Sequence, residues 1–441
     1  MSDNESKFRI GDKYMNKNKR KELCALFLSA LFVVEAQASV IKAVSCSKTD
    51  VQSSLDSASA GDTIMVPAGN CSWTSMTVNK VITLQGSGPD QTNITLSGDP
   101  SLTITKQPSG IIKLQGFTFT ASGGGSMNQP IVIDGAWSAQ PIIIQNNVFN
   151  QKDNGLFHVK VPGGMIFTHN ISNGGWDDGA FAIKSEDSSS WSKADSMGNN
   201  DKNGTLNNYI EDNTFYGHSN GIIDMDDNSR VVIRHNIFSY GGVNSHGMDT
   251  SPHGLRHFEI YENNFQHPEY SSQLANVNWL IWIRGGTGVI FNNSIDQISG
   301  GTWGKKPEGK FDIRAEEDGS GASYGTYKDG RAWLSSGKGN YPRQRQLGIN
   351  WSPLVNTNGG YFIDPIYIWG NTGSGANNSG GLLGFENGGA WGSQTGYFVS
   401  GRDYYNDGTV KSGYTPYSYP HPLTLSGTSQ LVPPTNLKVT P

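Results

Sequence analysis

Short runs in which hydrophobic and polar residues alternate fill most of the chain, and they predict β-strands rather than helices. One short helix is predicted near the start, capped by Thr49 or Asp50 and ended by Gly61. The first strand-like runs after it are residues 63–66, 78–84, 111–119, 131–133 and 142–144. The pattern therefore predicts an all-β fold with a single early helix.

One motif recurs along the chain: an apolar residue, an asparagine three positions later, and usually a second apolar residue two positions after that. The asparagines of this motif, two looser copies included, are Asn147, Asn170, Asn213, Asn236, Asn263, Asn293 and Asn371. Successive copies are 23, 43, 23, 27, 30 and 78 residues apart, so one repeat takes 23–30 residues, with insertions. A helix-free repeat of this length predicts a solenoid whose coils pair strand to parallel strand. Because asparagine tolerates a left-handed corner and its amide can bond the next coil, we expect a ladder of stacked asparagines.

Residues 1–38 are predicted to be a secretory signal peptide, in which 1–14 are an upstream extension if Met15 is the natural start. Four basic residues between Lys17 and Lys21 precede a 12-residue apolar run, 23–34, that is too short to span a bilayer. Ala36 and Ala38 supply a cleavage site. We therefore expect a secreted or periplasmic protein with no membrane segment after cleavage.

The cysteines agree with export. Cys24 lies in the predicted signal peptide, which leaves Cys46 and Cys71 in the mature chain. Two cysteines in an oxidising compartment predict one disulfide, which would stabilise the fold by about 3 kcal/mol.

Composition narrows the function classes. The chain carries 33 Lys and Arg against 38 Asp and Glu, a net charge of -5, which gives no basic surface for nucleic acid. Glycine is abundant, at 56 of 441 residues, as expected for many short strands joined by turns. We expect a monomer that binds neither nucleic acid nor, after signal removal, a membrane.

A second set of strands precedes the asparagine motifs, in segments 155–160, 179–184, 221–226 and 279–284. Alternation directs their apolar residues to the core and leaves polar and aromatic residues on the opposite face. That outer face carries His158, Lys160, Lys184, Asp224, Asp226, Trp282 and Arg284, and the intervening coil offers His246, Asp249, His253, Arg256 and His257 near the same strand. A solvated face of mixed charge is one interpretation. The clustering of charges beside an exposed tryptophan, which suits a sugar ring, favours a carbohydrate site.

Several motifs resemble those of the pectate-lyase superfamily. Residues 60–69 are similar to the opening of many secreted members, and 341–348, 368–371 and 416–423 are similar to bacterial members. The resemblance covers roughly residues 44–425. It implies a right-handed parallel β-helix with a short N-terminal capping helix.

We expect this β-helix to be one domain, residues 39–425. Residues 300–365 interrupt the rhythm of the coils and predict a large loop insertion, whose aromatic residues either wall a groove or cover a flank. Residues 426–441 are predicted to form an extended C-terminal tail.

The resemblance extends to the site. Asp224, in Gly221-Ile-Ile-Asp224, stands where pectate lyases place a Ca²⁺-binding carboxylate, and Arg284 stands where they place a substrate-binding arginine. Two positions depart from the family: Trp279 replaces the catalytic arginine, and residues 241–246 lack the expected lysine. The resemblance thus implies the fold, together with an altered substrate or another base.

A polysaccharide lyase acting on an acidic, uronate-containing polymer is the first functional hypothesis. β-Elimination requires a neutralised substrate carboxylate and a base for the proton at C5. The candidate catalytic residues are Lys184, Asp224, Asp226, His246, Asp249 and Arg284, and the candidate substrate-binding residues are His158, Lys160, His253, Arg256, Trp279 and Trp282. Asp224, Asp226 and Asp227 could bind Ca²⁺ through oxygen ligands. The base stays open among Lys160, Lys184, His246, His253 and Arg284.

Two alternatives remain. A glycoside hydrolase could pair Asp224 or Asp226 with Asp249, one coil away. A non-catalytic glycan-binding or structural surface protein would use the same face only to hold sugar.

Overall fold

The computed structural model describes most of the chain between residues 38 and 425. The described ranges are 38–121, 129–136, 140–151, 155–161, 163–174, 181–184, 207–216, 221–226, 228–239, 241–245, 255–266, 281–283, 285–296, 311–313, 348–352, 354–356, 360–374, 383–385 and 400–425. All of them except Ala38 belong to one compact unit, Ser39–Pro441. The predicted signal peptide, apart from Ala38, and the predicted tail lie outside the described residues.

Strands dominate the described residues, and one helix, α1 (Lys48–Ser57), lies between the first two. The strands are β1 (Val40–Lys42), β2 (Thr63–Val66), β3 (Gly69–Trp73), β4 (Met76–Val78), β5 (Thr83–Gly86), β6 (Thr92–Leu96), β7 (Leu102–Thr105), β8 (Ile112–Gln115), β9 (Thr118–Ala121), β10 (Ile131–Asp134), β11 (Ile142–Gln145), β12 (Val148–Asn150), β13 (Phe157–Val159), β14 (Met165–Thr168), β15 (Ile171–Asn173), β16 (Phe181–Lys184), β17 (Asn208–Glu211), β18 (Thr214–Tyr216), β19 (Gly221–Asp226), β20 (Arg230–Arg234), β21 (Ile237–Ser239), β22 (Gly242–Ser245), β23 (His257–Tyr261), β24 (Asn264–Gln266), β25 (Ile281–Ile283), β26 (Thr287–Phe291), β27 (Ser294–Asp296), β28 (Phe311–Ile313), β29 (Ile349–Trp351), β30 (Tyr361–Ile363), β31 (Ile366–Trp369), β32 (Thr372–Ser374), β33 (Leu383–Phe385) and β34 (Tyr404–Tyr405). A 3₁₀ turn, Pro422–Thr424, follows the last strand.

Three parallel sheets wind around one hydrophobic core. Sheet A has the order β1-β2-β5-β8-β11-β14-β17-β20-β23-β26-β31-β34, sheet B the order β3-β6-β9-β12-β15-β18-β21-β24-β27-β32, and sheet C the order β33-β28-β25-β22-β19-β16-β13-β10-β7-β4. Consecutive strands such as β11, β12 and β13 enter sheets A, B and C in turn. The predicted parallel β-helix is therefore confirmed.

The helix starts and ends earlier than its sequence pattern indicated. Its N-cap is Ser47, whose side chain accepts a hydrogen bond from the backbone N–H of Asp50 at 3.2 Å. Its C-cap is Ala58, whose N–H donates to the carbonyl of Leu55. Thr49 and Asp50 were the wrong caps because Ser47 caps the helix and its side chain already accepts from the N–H of Asp50, three residues later.

The predicted disulfide is confirmed. Cys46 and Cys71 are bonded, with their Cα atoms 5.8 Å apart. Gly69 lies against this bond with φ +157°, and a Cβ atom there would lie 2.7 Å from Cys46 Sγ. Glycine is therefore needed beside the disulfide for space as well as for backbone conformation.

Two predicted strand runs each contain a corner of the solenoid. Residues 78–84 divide into the end of β4 and the start of β5, and residues 111–119 divide into β8 and β9. Gly116 makes the second corner with φ +80°. Apolar side chains continue through these corners because both strands face the same core, so hydrophobicity alone does not mark the bend.

The predicted asparagine ladder is confirmed, and all of its members are buried except the half-buried Asn371. Asn236 shows the pattern: its Oδ1 accepts from the backbone N–H and the Nδ2 of Asn213, both at 3.0 Å. Its Nδ2 donates to Oδ1 of Asn263 at 3.0 Å and to the carbonyls of Ile210 and Arg234. The same contacts link Asn147, Asn170, Asn213, Asn236, Asn263, Asn293 and Asn371 in order.

The left-handed corner belongs to the residue before each ladder asparagine. His169, Asp212, His235 and Glu262 all have φ between 54° and 57°. The ladder amide bonds the carbonyl two residues earlier, as Asn213 Nδ2 does with Glu211. This hydrogen bond spans the left-handed residue and stabilises the corner. The left-handed conformation therefore falls one position before the asparagine, and the expectation of a left-handed asparagine was wrong.

The predicted insertion, 300–365, contains regular structure. β28 continues sheet C between β25 and β33, and β29 pairs antiparallel with β30 in a hairpin. Residues 411–425, here called the C-terminal strap, lie on the outer face of sheet A, where Tyr414, Tyr417 and Leu423 pack on its buried aromatic cluster. The strap and the hairpin thus cover part of the outer face of sheet A.

Candidate functional site on sheet C

The site is built on the outer face of sheet C by parallel pairing in register. Residues that alternate with core positions align across the strands, and neighbouring strands lie about 4.8 Å apart. We call the aligned positions the outer column: Val132, His158, Ala182, Asp224, Asn244, Trp282 and Asp312. The predicted inward residues Phe157, Val159, Phe181, Ile183, Ile223, Met225, Ile281 and Ile283 are all buried. Core burial of these residues therefore sets which side chains reach the outer column.

Three of the predicted site residues stand in the outer column. His158, Asp224 and Trp282 are half-buried, which leaves each side chain partly open to solvent. Asp224 is two strands from His158 and two strands from Trp282. The column therefore brings an imidazole, a carboxylate and an indole to one strip of surface.

A neighbouring row lies two residues further along the strands. Asp226 pairs in register with Lys184, whose backbone only is described, and Lys160 extends β13 through a hydrogen bond from its N–H to the carbonyl of Ile133. Lys160 is half-buried, but Asp226 is only 2% exposed. Asp226 was expected beside Asp224 on the open face, and the structure encloses it instead.

Asn244 is a site residue that the sequence reasoning missed. It pairs in register with Asp224, and its Oδ1 is a buried oxygen that makes no hydrogen bond within the described residues. The register of β19 against β22 shifts between Gly221 and Ile223, which aligns Asn244 with Asp224. The short segment Gly242-Val-Asn-Ser carries no charge, so its sequence offered little signal beyond its place between two coil motifs.

Lys106 is another missed residue near sheet C. It follows β7 directly, is 3% exposed, and donates from Nζ to the carbonyl of Gly163 at 3.0 Å. Burial lowers the pKa of Lys106 to about 8. Because its ammonium group is enclosed and bonded to a later coil, Lys106 ties coils together.

Arg256 lies on a different sheet from the one expected. It immediately precedes β23 in sheet A, is 1% exposed, and adjoins a cavity on the outer face of that sheet. The strand before Arg256 in sequence, β22, belongs to sheet C, whereas β23, which follows it, belongs to sheet A, so sequence proximity to the outer column was misleading.

The remaining predicted site residues lie outside the described residues: Asp227, His246, Asp249, His253, Trp279 and Arg284. Their roles stay predictions. Within the described ranges, no group of three or more His, Cys, Asp or Glu side chains is placed to hold a metal ion. The described helices include none of the length and hydrophobicity needed to cross a membrane.

Solved structures with a likeness to the chain include alginate lyases. The alginate lyase from Paenibacillus sp. str. FPU-7 aligns with a TM-score of 0.34 and 14% identity, over 58% of this chain and 95% of that chain. A point mutant of the PL6 family alginate lyase AlyGC aligns with a TM-score of 0.34 and 16% identity, over 63% of this chain and 43% of that chain. For AlyGC itself the values are 0.28, 16%, 59% and 38%. No protein-family model matches the chain, and no curated protein sequence matches it.

Proposed function

We propose that the chain is a secreted polysaccharide lyase that cleaves an acidic, uronate-containing polysaccharide by β-elimination at the outer column of sheet C. The observation that carries this proposal is the register that aligns Asp224, Asn244 and Trp282 across three consecutive coils, with His158 two strands from Asp224 in the same column. An extended polymer laid across the strands would meet a carboxylate, an amide and an aromatic ring at neighbouring positions. The half-buried indole supplies an apolar face for a sugar ring.

The proposed step breaks the C5–H bond and the C4–O bond and forms one C4=C5 double bond. A base removes the proton at C5, the electron pair forms the C4=C5 double bond, and the C4–O glycosidic bond breaks with protonation of the leaving oxygen. Candidates for the base are Lys160, Lys184, His246, His253 and Arg284. Among these candidates, Lys160 is the base whose side chain the structure describes, and it is half-buried beside the outer column.

Two described residues, Asp224 and Asn244, support the proposal of a Ca²⁺ ion in the outer column. The Asp224 carboxylate and Asn244 Oδ1 are oxygen donors of the kind that Ca²⁺ takes, and the latter is a buried oxygen with no hydrogen bond within the described residues. When bound, Ca²⁺ would neutralise the substrate carboxylate and acidify the C5 proton. Asp226 and Asp227 remain candidate further ligands.

Hydrolysis is the second candidate. An inverting pair of carboxyl groups works at about 6.5–9.5 Å. Asp224 is the partly open carboxylate on β19, and Asp249 is its candidate partner because Asp226 is enclosed.

The test uses the mature chain, excess Ca²⁺ and a panel of polygalacturonate, alginate and hyaluronan. We expect ultraviolet absorbance from the unsaturated uronate product with at least one polymer, and its loss in Asp224→Asn. Asp134→Asn is the matched control, because Asp134 is exposed on sheet C three strands from Asp224. New reducing ends without unsaturated product would favour hydrolysis. Neither signal would favour a glycan-binding protein and overturn the lyase proposal.

A further inference from the structure

A cavity of about 460 Å³ lies on the outer face of sheet A. Its floor is formed by His257 and Glu259 of β23, one wall by Asn350 and Asp364 of the hairpin, and the other by the C-terminal strap. Small-molecule sites in proteins occupy roughly 300–1,000 Å³. The cavity is therefore large enough for a small ligand, and the proposed lyase mechanism does not use it.

The polar groups of the cavity are held in place by one another. Glu259 accepts from Tyr414 Oη at 2.7 Å and lies 3.2 Å from His257 Nε2. Asp364 accepts from Asn350 Nδ2 at 2.7 Å and from Lys411 Nζ at 2.5 Å. A carboxylate offers about four lone-pair sites, so both can accept further hydrogen bonds. Side chains from β23, the hairpin and the strap thus form a preorganised set of donors and acceptors.

The charges around the cavity balance. Arg256 and Lys411 carry two positive charges, Glu259 and Asp364 carry two negative charges, and His257 adds none when neutral. An anionic ligand would gain little from such a lining, whereas a neutral ligand rich in hydroxyl groups can use both its donors and its acceptors. The rings of Tyr414, Tyr417 and Phe362 add apolar surface for carbon–hydrogen faces.

We propose that this cavity binds a neutral pyranose, as a free sugar or as the terminal or branch unit of a glycan. The charge of the proposed ligand distinguishes this cavity from the outer column of sheet C, where the proposed substrate is acidic. The inference does not depend on catalysis, since the cavity lies on another sheet and is lined by other side chains. It assigns the chain a second carbohydrate contact, selective for uncharged rings.

The experiment is saturation-transfer NMR on the mature chain, with glucose, galactose and mannose as probes and galacturonate as the charged comparison. The blocking variant is Ser412→Trp, because Ser412 lines the cavity and is exposed. Ser418→Trp is the matched control, since Ser418 is an exposed serine of the same strap outside the cavity lining. We expect at least one neutral sugar to bind, and Ser412→Trp to weaken it at least about tenfold, as expected for a filled site.

Two further variants keep the outcome decisive. Asp364→Asn removes a carboxylate without adding bulk and should also weaken binding. It serves as the test if Ser412→Trp does not fold. Asp224→Asn should leave binding unchanged, because Asp224 lies on sheet C. The proposal is overturned if no neutral sugar binds, if only galacturonate binds, if both tryptophan variants act alike, or if Asp224→Asn abolishes binding. These outcomes are independent of whether lyase activity is found.

Discussion

Arg234 and Glu211 form an ion pair on the outer face of sheet A, with Nη2 and Oε2 2.6 Å apart and neither side chain exposed to solvent. The same guanidinium donates to the carbonyls of Tyr417 and Ser418, each at 2.8 Å. The backbone N–H of His421 donates to Glu211 Oε1 at 2.9 Å. The pair therefore connects two coils of the solenoid to the C-terminal strap. Because hydrogen bonds from the strap and the paired coils satisfy both Arg234 and Glu211, their charges are tolerated in a buried position.

Removing one partner should release the strap. Arg234→Met leaves Glu211 buried without its counter-charge, so we expect a loss of about 3–5 kcal/mol in the free energy of unfolding. Urea denaturation measures the loss, and hydrogen exchange in residues 414–425 should accelerate. Lys411→Met is the control, because it removes a partly exposed ion pair with Asp364 and should cost under about 1 kcal/mol. Equal losses in the two variants would contradict this account of the strap.

The asparagine ladder predicts a large effect from a small truncation. Asn236→Ala removes the acceptor of the Asn213 N–H and the donor to the Ile210 carbonyl, leaving buried groups unsatisfied. We expect a loss of at least about 3 kcal/mol, measured by urea denaturation. Asn173→Ala is the matched control: Asn173 shares one half-buried amide hydrogen bond with Asn150, and its loss should cost about 1 kcal/mol or less. A ladder variant as mild as this control would refute the ladder's energetic role.

The buried Lys106 predicts a pH dependence of stability. Because burial lowers its pKa from 10.5 to about 8, the unfolded chain binds this proton more tightly than the folded chain. Stability should therefore rise as pH increases from about 8 towards 10.5, by up to about 3 kcal/mol, and the penalty is fully present below pH 8. Burial raises the pKa values of Tyr261 and Tyr414, whose opposing effect begins only near pH 10. The useful window is therefore about pH 8–10.

Thermal unfolding across that window measures the slope. Lys106→Met should flatten it, whereas Lys113→Met, at a half-buried lysine on β8, should leave it intact. The same slope in Lys106→Met and in the unaltered chain would show that another group controls the pH dependence.

Substitution of Trp282 tests whether substrate packs on the outer column. If a sugar ring packs on its indole, Trp282→Ala removes binding common to the ground state and the transition state. We then expect KM to rise about fivefold to tenfold with kcat little changed, in steady-state kinetics on the polymer of the panel that yields unsaturated product. Tyr216→Ala, at an exposed aromatic residue on sheet B, should change neither constant. A fall in kcat alone would place Trp282 in the chemistry rather than in binding.

Most of the fold could be predicted because periodic patterns repeat the same local rule. The spacing of Asn213, Asn236 and Asn263 reports the length of a coil, and alternation in segments such as 221–226 reports which residues face the core. The corners were less predictable. Hydrophobic residues continue through Gly116, and the left-handed residue before each ladder asparagine varies in type from His235 to Glu262.

The candidate site was only partly predictable, because its neighbours come from different coils. Asp224 and Trp282 were found from alternation within their own strands. Asn244 was missed because only the register of β19 against β22 places it beside Asp224. Arg256 was misplaced because the strand that precedes it in sequence, β22, belongs to sheet C, whereas the strand that follows it directly, β23, belongs to sheet A.

The sequence by itself determined the parallel β-helix, the Cys46–Cys71 disulfide and the stacked asparagines, because each depends on local spacing that repeats or on a single pair of residues. Only the tertiary structure decided which polar residues become neighbours: Asn244 and Asp224 on paired strands, Arg234 and Glu211, and Glu259 and Tyr414 of the strap. Those pairs join residues 20 to 155 positions apart. They depend on strand register and on the path of the C-terminal strap. Both are set by tertiary packing, so no local sequence pattern predicts them.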